Sequence, residues 1–287
     1  RVLGFTKRTG ETYFYGLRIF QKYLESEEID NLNEITRKVV LGYQMYLMNK
    51  QPVLSINTQR QQLIILSNFI KYLVKVEKIM FNPASELELP RQRIVLPQGI
   101  MSVKEVKKLL KQPDVKNRLG LRNRTILEVF YSTAIRNQEL RNLKLKDIDL
   151  KERLVRIVKG KGEKDRNVPL GKSACFYLEE YIKSSRPTLI KTEEEPLLFL
   201  GYYKLPLSRN ILSKMVRRYV REAKIKKNVT PHSLRHSIAT HMLKNKTPIR
   251  YVQELLGHKS LETTQKYTKV EISDLKQAHR KYHPLER

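Results

Sequence analysis

The chain has 287 residues, 40% of them hydrophobic and 30% charged. It is therefore long enough for two domains, able to bury a core, and outside the wholly disordered class. Its 57 Lys and Arg against 29 Asp and Glu leave a formal charge of +28, which suits a polyanionic partner, either nucleic acid or an acidic membrane surface.

The single cysteine, Cys175, excludes an internal disulfide framework and a Cys-rich zinc site. Apolar runs such as Leu63-Ile64-Ile65-Leu66 fall far short of the ~18 residues of a membrane span, and no secretory signal is visible. A cytoplasmic, nucleic-acid-facing protein without a membrane partner is expected. Residue 1 is Arg, so the native start is expected upstream. The charge is uneven: residues 1–90 carry 12 Lys/Arg and 9 Asp/Glu, a net of +3, whereas residues 91–287 carry 45 and 20, a net of +25. The shift coincides with Pro90, Pro97 and Gly99 in a stretch without helical periodicity, the mark of a linker. The expected organisation is a domain over 1–90, a linker over 91–100 and a second domain over 101–287.

In chain order, Tyr13, Leu17, Phe20 and Leu24 recur every three or four residues and predict a helix from Thr9 to Leu24. Ile35, Val39, Tyr43, Tyr46 and Leu47 predict a second, over Asn33–Met48. Ser55 is a candidate N-cap for a third that turns Ile56, Leu63, Leu66, Ile70 and Leu73 inward. The first domain is thus expected to be a small helical bundle. In the second, Ser102-x-x-Glu105 is a capping box. A helix over Leu121–Tyr131 leads to the turn Ser132-Thr133-Ala134-Ile135 and a helix carrying Glu139, Leu140 and Leu143. Strands are predicted at 154–158 and 166–169, joined through Lys159-Gly160-Lys161-Gly162, and at Leu197–Leu200. Helices follow from Lys172 and near 208–224, 231–244, 248–256, 260–266 and 273–282. The fold class is therefore mainly α with a small β-sheet.

Thr230-Pro231-His232-Ser233-Leu234-Arg235 opens a helix, with Thr230 as cap and Pro231 at the first position. His232 and Arg235 are three apart beside a helix N-terminus, where free N–H groups and the dipole favour a phosphate; an ordinary surface pair is the alternative. Arg136 follows a tight turn, and Glu139 three residues on is placed to hold it; taken alone, a solvated charge is the commoner reading. Lys161 sits between two glycines at a hairpin tip, exposed enough to reach a ligand; taken alone, an ordinary basic hairpin turn is the commoner reading. Gly257 can end a helix in the left-handed conformation and leave His258 in a loop, with Tyr267 on the short helix beyond. With 15 tyrosines in the chain, Tyr267 is not distinguished by its type alone.

Taken together, Arg136, Lys161, His232, Arg235, His258 and Tyr267 resemble the catalytic set of the tyrosine recombinases, the lambda-integrase-like family. His232-x-x-Arg235 and Leu256-Gly257-His258, followed nine residues on by Tyr267, carry the likeness. The hairpin Gly160–Leu170 and the ending Asp274–Pro284 resemble the bacterial Xer branch. The likeness is weak over 1–90 and strong from residue 100 onward. One departure is Ala134, where the family usually has Gly, which narrows the backbone options at that turn.

The resemblance implies a two-domain DNA clamp, with a helical core-binding domain and a mixed α/β catalytic domain. It implies attack by Tyr267 on a phosphodiester, giving a 3′-phosphotyrosyl link and a free 5′-hydroxyl, with strand exchange through a Holliday junction. Arg136 and Arg235 would stabilise charge on the non-bridging oxygens, with His258 adding a donor. Lys161 would be the general acid, and His232 a proton acceptor or second donor. The covalent link conserves bond energy, so no cofactor, ATP or metal is expected. His232, His236 and His241 share one predicted helix, but no cysteine or carboxylate completes a zinc set. The implied partners are double-stranded DNA with specific sites, a homo- or hetero-tetramer on two sites, and an accessory protein. The tail, residues 271–283, would pack on a neighbouring protomer, with docking on its own domain as the alternative. Two other readings stay open: a non-catalytic DNA-binding protein of this fold, and a type IB topoisomerase. The target sequence, and whether the enzyme resolves chromosome or plasmid dimers or integrates and excises a mobile element, are not legible.

Overall fold

The computed structural model describes residues 7–91, 99–158, 165–192, 194–201, 204–257 and 272–285, with the backbone alone at 7–8 and 272–275. It is mostly helical with one small sheet and divides into two compact units, Arg1–Val95 and Leu96–Arg287. In the first, α1 (Lys7–Ser26), α2 (Arg37–Asn49) and α3 (Ile56–Lys75) surround a core of Phe20, Tyr23, Tyr43, Leu47, Leu63, Leu66 and Ile70. Aromatic rings form its centre, with Phe20 edge-on to Tyr43 at 4.9 Å between centroids. Ser55 caps α3 by accepting from the Thr58 N–H. The second helix starts four residues later than its periodicity predicts, because Leu32–Glu34 forms a separate 3-10 turn capped by Asn31.

The second unit contains α4 (Val103–Leu110), α5 (Arg118–Thr133), α6 (Asn137–Arg141), β1 (Ile148–Asp149), β2 (Leu154–Ile157), β3 (Arg166–Pro169) and α7 (Lys172–Glu180). The order continues with α8 (Arg209–Glu222), α9 (Pro231–Lys244), α10 (Ile249–Leu256) and α11 (Ile272–Tyr282). The capping box of Ser102 and Glu105 opens α4, and that of Thr230 and Ser233 opens α9. Helix α5 is the axis of the core: Ile126, Leu127, Val129, Phe130 and Tyr131 have no exposed surface. The sheet is antiparallel in the order β1-β2-β3, with Val155 opposite Val168 and Ile157 opposite Arg166. The two-residue β1 has no alternation to read and exists through its pairing with β2. The strand expected at Leu197–Leu200 is instead two isolated bridges, Lys144 with Leu197 and Leu200 with Pro206. The segment is buried and apolar, but it meets two different partners and builds no ladder. Among the described residues no helix is long and apolar enough to cross a membrane.

Three buried histidines brace the end of α5. His241 donates from Nε2 to the Met101 carbonyl (2.8 Å) and accepts the Tyr131 hydroxyl at Nδ1 (2.9 Å). His279 and His283 donate from Nε2 to the carbonyls of Ser132 (2.9 Å) and Tyr131 (3.0 Å), seating α11 on its own unit in this single chain. Burial pushes His241 and His283 below the ordinary imidazole range, helped at His283 by the neighbouring His279 and His241. Each is therefore neutral when folded and takes up a proton more readily when unfolded. Unfolding should become easier as pH falls through the unfolded value of about 6.5, by at most about 1.4 kcal/mol per pH unit for each ring. A urea midpoint that drops between pH 7.5 and 5.5 fits this account; a flat midpoint contradicts it.

Candidate active site

The site is built where α5 and α10 end. Helix α5 stops because Ala134 takes the left-handed conformation, φ +50°, ψ +23°, with its N–H on the Phe130 carbonyl (3.0 Å). This is the position where Ala departs from the expected Gly, and the alanine adopts the glycine-like geometry. The chain then reverses into α6, with Arg136 as N-cap. The Arg136 backbone N–H donates to Glu139 Oε2 (2.7 Å), its Nη1 to Glu139 Oε1 (3.0 Å) and its Nη2 to the Gly257 carbonyl (2.8 Å). The non-catalytic reading depends on Ala134 displacing Arg136; Arg136 is instead tied at three points, with its side chain 43% exposed.

Helix α10 ends at Gly257, also left-handed at φ +59°. The last carbonyls of a helix lack intrahelical partners and carry its negative dipole end, and here two guanidiniums meet them. Arg235, 3% exposed, donates from Nη2 to the Leu256 carbonyl (2.6 Å) and from Nη1 to the Ala134 carbonyl (2.7 Å). One buried side chain on α9 thus joins the ends of α5 and α10. Burial, then the charges of Arg136 and Arg166, lowers the Arg235 guanidinium to about 10, so it stays charged at neutral pH.

The expectation that His232 and Arg235 share a face is only partly met. Arg235 runs inward beneath the two turns, while His232 is exposed and lies edge-on to His236, 4.3 Å between ring centroids. His241 turns the other way, to Tyr131 and Met101. Among the described residues no group of three or more His, Cys, Asp or Glu could hold a metal. Lys161, His258 and Tyr267 lie outside the described residues.

Arg166, which sequence reasoning passed over, completes the cluster. It opens β3 with a side chain only 8% exposed and donates from Nη1 and Nη2 to Glu139 Oε1 (2.9 Å) and Oε2 (2.8 Å). Burial alone would raise the Glu139 carboxyl; the hydrogen bonds from Arg166 and the Arg136 backbone, with both guanidinium charges, outweigh it and hold the group at about 2. Two guanidiniums thus meet one carboxylate, with a third, Arg235, on the carbonyls beside them, and the surplus positive charge suits an anion. The sequence signal was parity: Arg166 shares the inward phase of buried Val168.

Residues 100–273 match the phage integrase family, and residues 4–88 its SAM-like domain. Tyrosine recombinase XerC 2 of Ralstonia nicotianae is 39% identical, over 99% of this chain and 82% of that protein. Tyrosine recombinase XerD of Staphylococcus aureus is 35% identical, over 98% and 94%. Among solved structures, the XerH site-specific recombinase bound to its difH substrate in a pre-cleavage complex aligns with a TM-score of 0.68 at 26% identity, covering 93% of this chain and 78% of that one. The chain belongs to the phage integrase family, within it to the Xer-like tyrosine recombinases, and is a tyrosine-type site-specific recombinase.

The left-handed turn makes a stability prediction. Ala134 is fully buried, and an L-residue in this conformation carries roughly 1–2 kcal/mol of strain. Ala134→Gly removes that strain but loosens the unfolded chain by about 0.5–1 kcal/mol, so stability should lie between unchanged and about 1.5 kcal/mol higher. Ala134→Val, β-branched at positive φ and overpacked, should cost at least about 2 kcal/mol. Urea midpoints that rank Val above Gly would contradict the assigned turn.

Proposed function

We propose that this recombinase acts on double-stranded DNA, with Tyr267 as nucleophile and Arg136, Arg235, Lys161, His232 and His258 as the groups that handle charge and protons. The observation that carries the reading is the pairing of Arg136 and Arg235 on the adjoining ends of α5 and α10, with Gly257 between them and His258 next in the chain. A phosphodiester is a mono-anion whose non-bridging oxygens gain charge as a fifth oxygen attacks. Preorganised guanidiniums meet that charge without reorganisation. Each guanidinium has five N–H groups, so Arg136, half-exposed, has donors left for a phosphate beyond those on Glu139 and Gly257.

In this reading the Tyr267 Oη–phosphorus bond forms as the bond to the 5′-oxygen breaks. The phenol proton passes to His232, Lys161 protonates the leaving 5′-oxygen, and His258 donates to a non-bridging oxygen. Attack by a 5′-hydroxyl on the 3′-phosphotyrosyl link reverses these steps and rejoins the strand, with no external energy source. Two such exchanges pass through a Holliday junction on a tetramer, homo- or heteromeric, that holds two sites; an accessory protein is a further partner. The protein is proposed to be cytoplasmic, with residues 1–90 as the core-binding domain, 91–100 as linker and 101–287 as the catalytic domain. The biological task is resolution of chromosome or plasmid dimers, or integration and excision of a mobile element.

Incubation with nicked suicide DNA should give a covalent protein–DNA adduct on a denaturing gel. Tyr267→Phe should bind the same DNA and form none; an adduct that persists in the Phe variant removes Tyr267 as nucleophile. Arg136→Ala and Arg235→Ala should each slow cleavage by about 10²–10³-fold, with DNA affinity changed far less. Cleavage at the wild-type rate by either variant places that arginine outside the chemistry.

A further inference from the structure

We propose that Arg166 is a positioning residue of the recombination reaction, fixing through Glu139 the guanidinium of Arg136 and supporting from below the turn that leads to His258. The proposal rests on the assignment of Arg136 and Tyr267 above.

The first observation is how Glu139 divides its oxygens. Oε1 accepts from Arg136 Nη1 and Arg166 Nη1; Oε2 accepts from the Arg136 backbone N–H and Arg166 Nη2. The fork of Arg166 on both oxygens sets the plane of the carboxylate, and that plane sets where Arg136 can lie. A single point charge would hold the group but not its plane. The second observation is that Arg166 has little else to do. Its side chain is nearly buried, and its Nε has no acceptor among the described residues. Among the described residues, the side-chain hydrogen bonds of this buried cation all go to one carboxylate.

The third observation concerns Gly257. A Cβ there would lie 2.9 Å from Arg166 Cζ and 3.0 Å from Nε, so the glycine backbone rests against the guanidinium. The same residue's carbonyl accepts Arg136 Nη2. One side chain from β3 thus contacts both turns of the site, the cap of α6 that carries Arg136 and the cap of α10 that precedes His258. β3 is also the strand into which the Lys161 segment runs. A purely structural ion pair would stabilise the unit and leave the chemistry alone; a positioning residue predicts a change in the pH dependence of cleavage.

The charged groups that face Glu139 among the described residues are Arg136 from the cap of α6, Arg166 from β3 and Arg235 from α9. Removing the Arg166 charge leaves Glu139 buried with less to oppose protonation, so its carboxyl rises. A protonated Glu139 no longer orients Arg136, and cleavage falls more steeply toward acid pH than in the wild type.

The test measures single-turnover cleavage of nicked suicide DNA by the full chain between pH 5 and 8, beside DNA affinity and urea unfolding. Arg166→Gln should cleave about 10- to 100-fold more slowly at pH 7.5, with affinity within about threefold of wild type, and its rate relative to wild type should fall further toward pH 5. Arg166→Lys, which keeps the charge but loses the fork, should recover part of the rate and abolish the additional fall toward pH 5. Wild-type rates and pH profile in Arg166→Gln overturn the proposal. If Arg166→Gln does not fold, Arg166→Lys decides: a wild-type rate overturns it, and a loss of about tenfold at unchanged affinity supports it. Persistence of the adduct in Tyr267→Phe would instead strike the underlying site assignment and is read separately.

Discussion

The described part of the site depends on one carboxylate held among like charges. Arg136, Arg166 and Arg235 converge on a small volume in a chain already at +28. Without Glu139, Arg136 and Arg166 would lose the carboxylate that they share and face one another as like charges. With it, two of the three are fixed by hydrogen bonds and the cluster retains a net positive charge. That residue of charge is what a phosphodiester can neutralise. The low position of the Glu139 carboxyl, about 2, keeps it ionised at neutral and mildly acidic pH. Its contribution to stability is present above the unfolded carboxylate value of about 4.3 and is lost only as pH falls toward 2.

The fold's task is to bring three chain segments to that carboxylate. Helix α5 ends in a left-handed alanine, helix α10 in a left-handed glycine, and strand β3 begins with the arginine beneath both. The carbonyls of Ala134, Leu256 and Gly257 at these helix ends accept from Arg235 and Arg136. The same hydrogen bonds thus complete the helices and orient the guanidiniums. On the far side of α5, the histidines of α9 and α11 hold the last turn before Ala134. The seating of the tail therefore bears, through only a few residues, on the loop that carries Arg136.

What was legible in the sequence was local. Ser55, Ser102 and Thr230 cap helices where they stand, because a cap and its N–H partner lie within three residues of one another. Gly257 was placed as a left-handed helix end for the same reason. Long-range pairings were not legible. The short β1 exists only through its partner strand, and Leu197–Leu200 has strand composition without a ladder to join. Arg235 was identified by its spacing from His232, yet its burial follows from two carbonyls that lie 101 and 21 residues away. Arg166 stands in a hairpin rich in basic residues; only the folded structure shows that it faces a carboxylate 27 residues back along the chain.

The central claim is that Arg136 and Arg235 act as a preorganised pair on a phosphodiester, Arg136 held by Glu139 and the Gly257 carbonyl and Arg235 by the Ala134 and Leu256 carbonyls. A crystal structure of the protein on nicked DNA, with vanadate bridging Tyr267 and the 5′-hydroxyl, tests this most directly. The account predicts both guanidiniums within about 3 Å of equatorial vanadate oxygens, with Glu139 still bridging Arg136 and Arg166. A vanadate bound away from these two arginines, or an Arg136 that reaches it only after leaving Glu139, would contradict it.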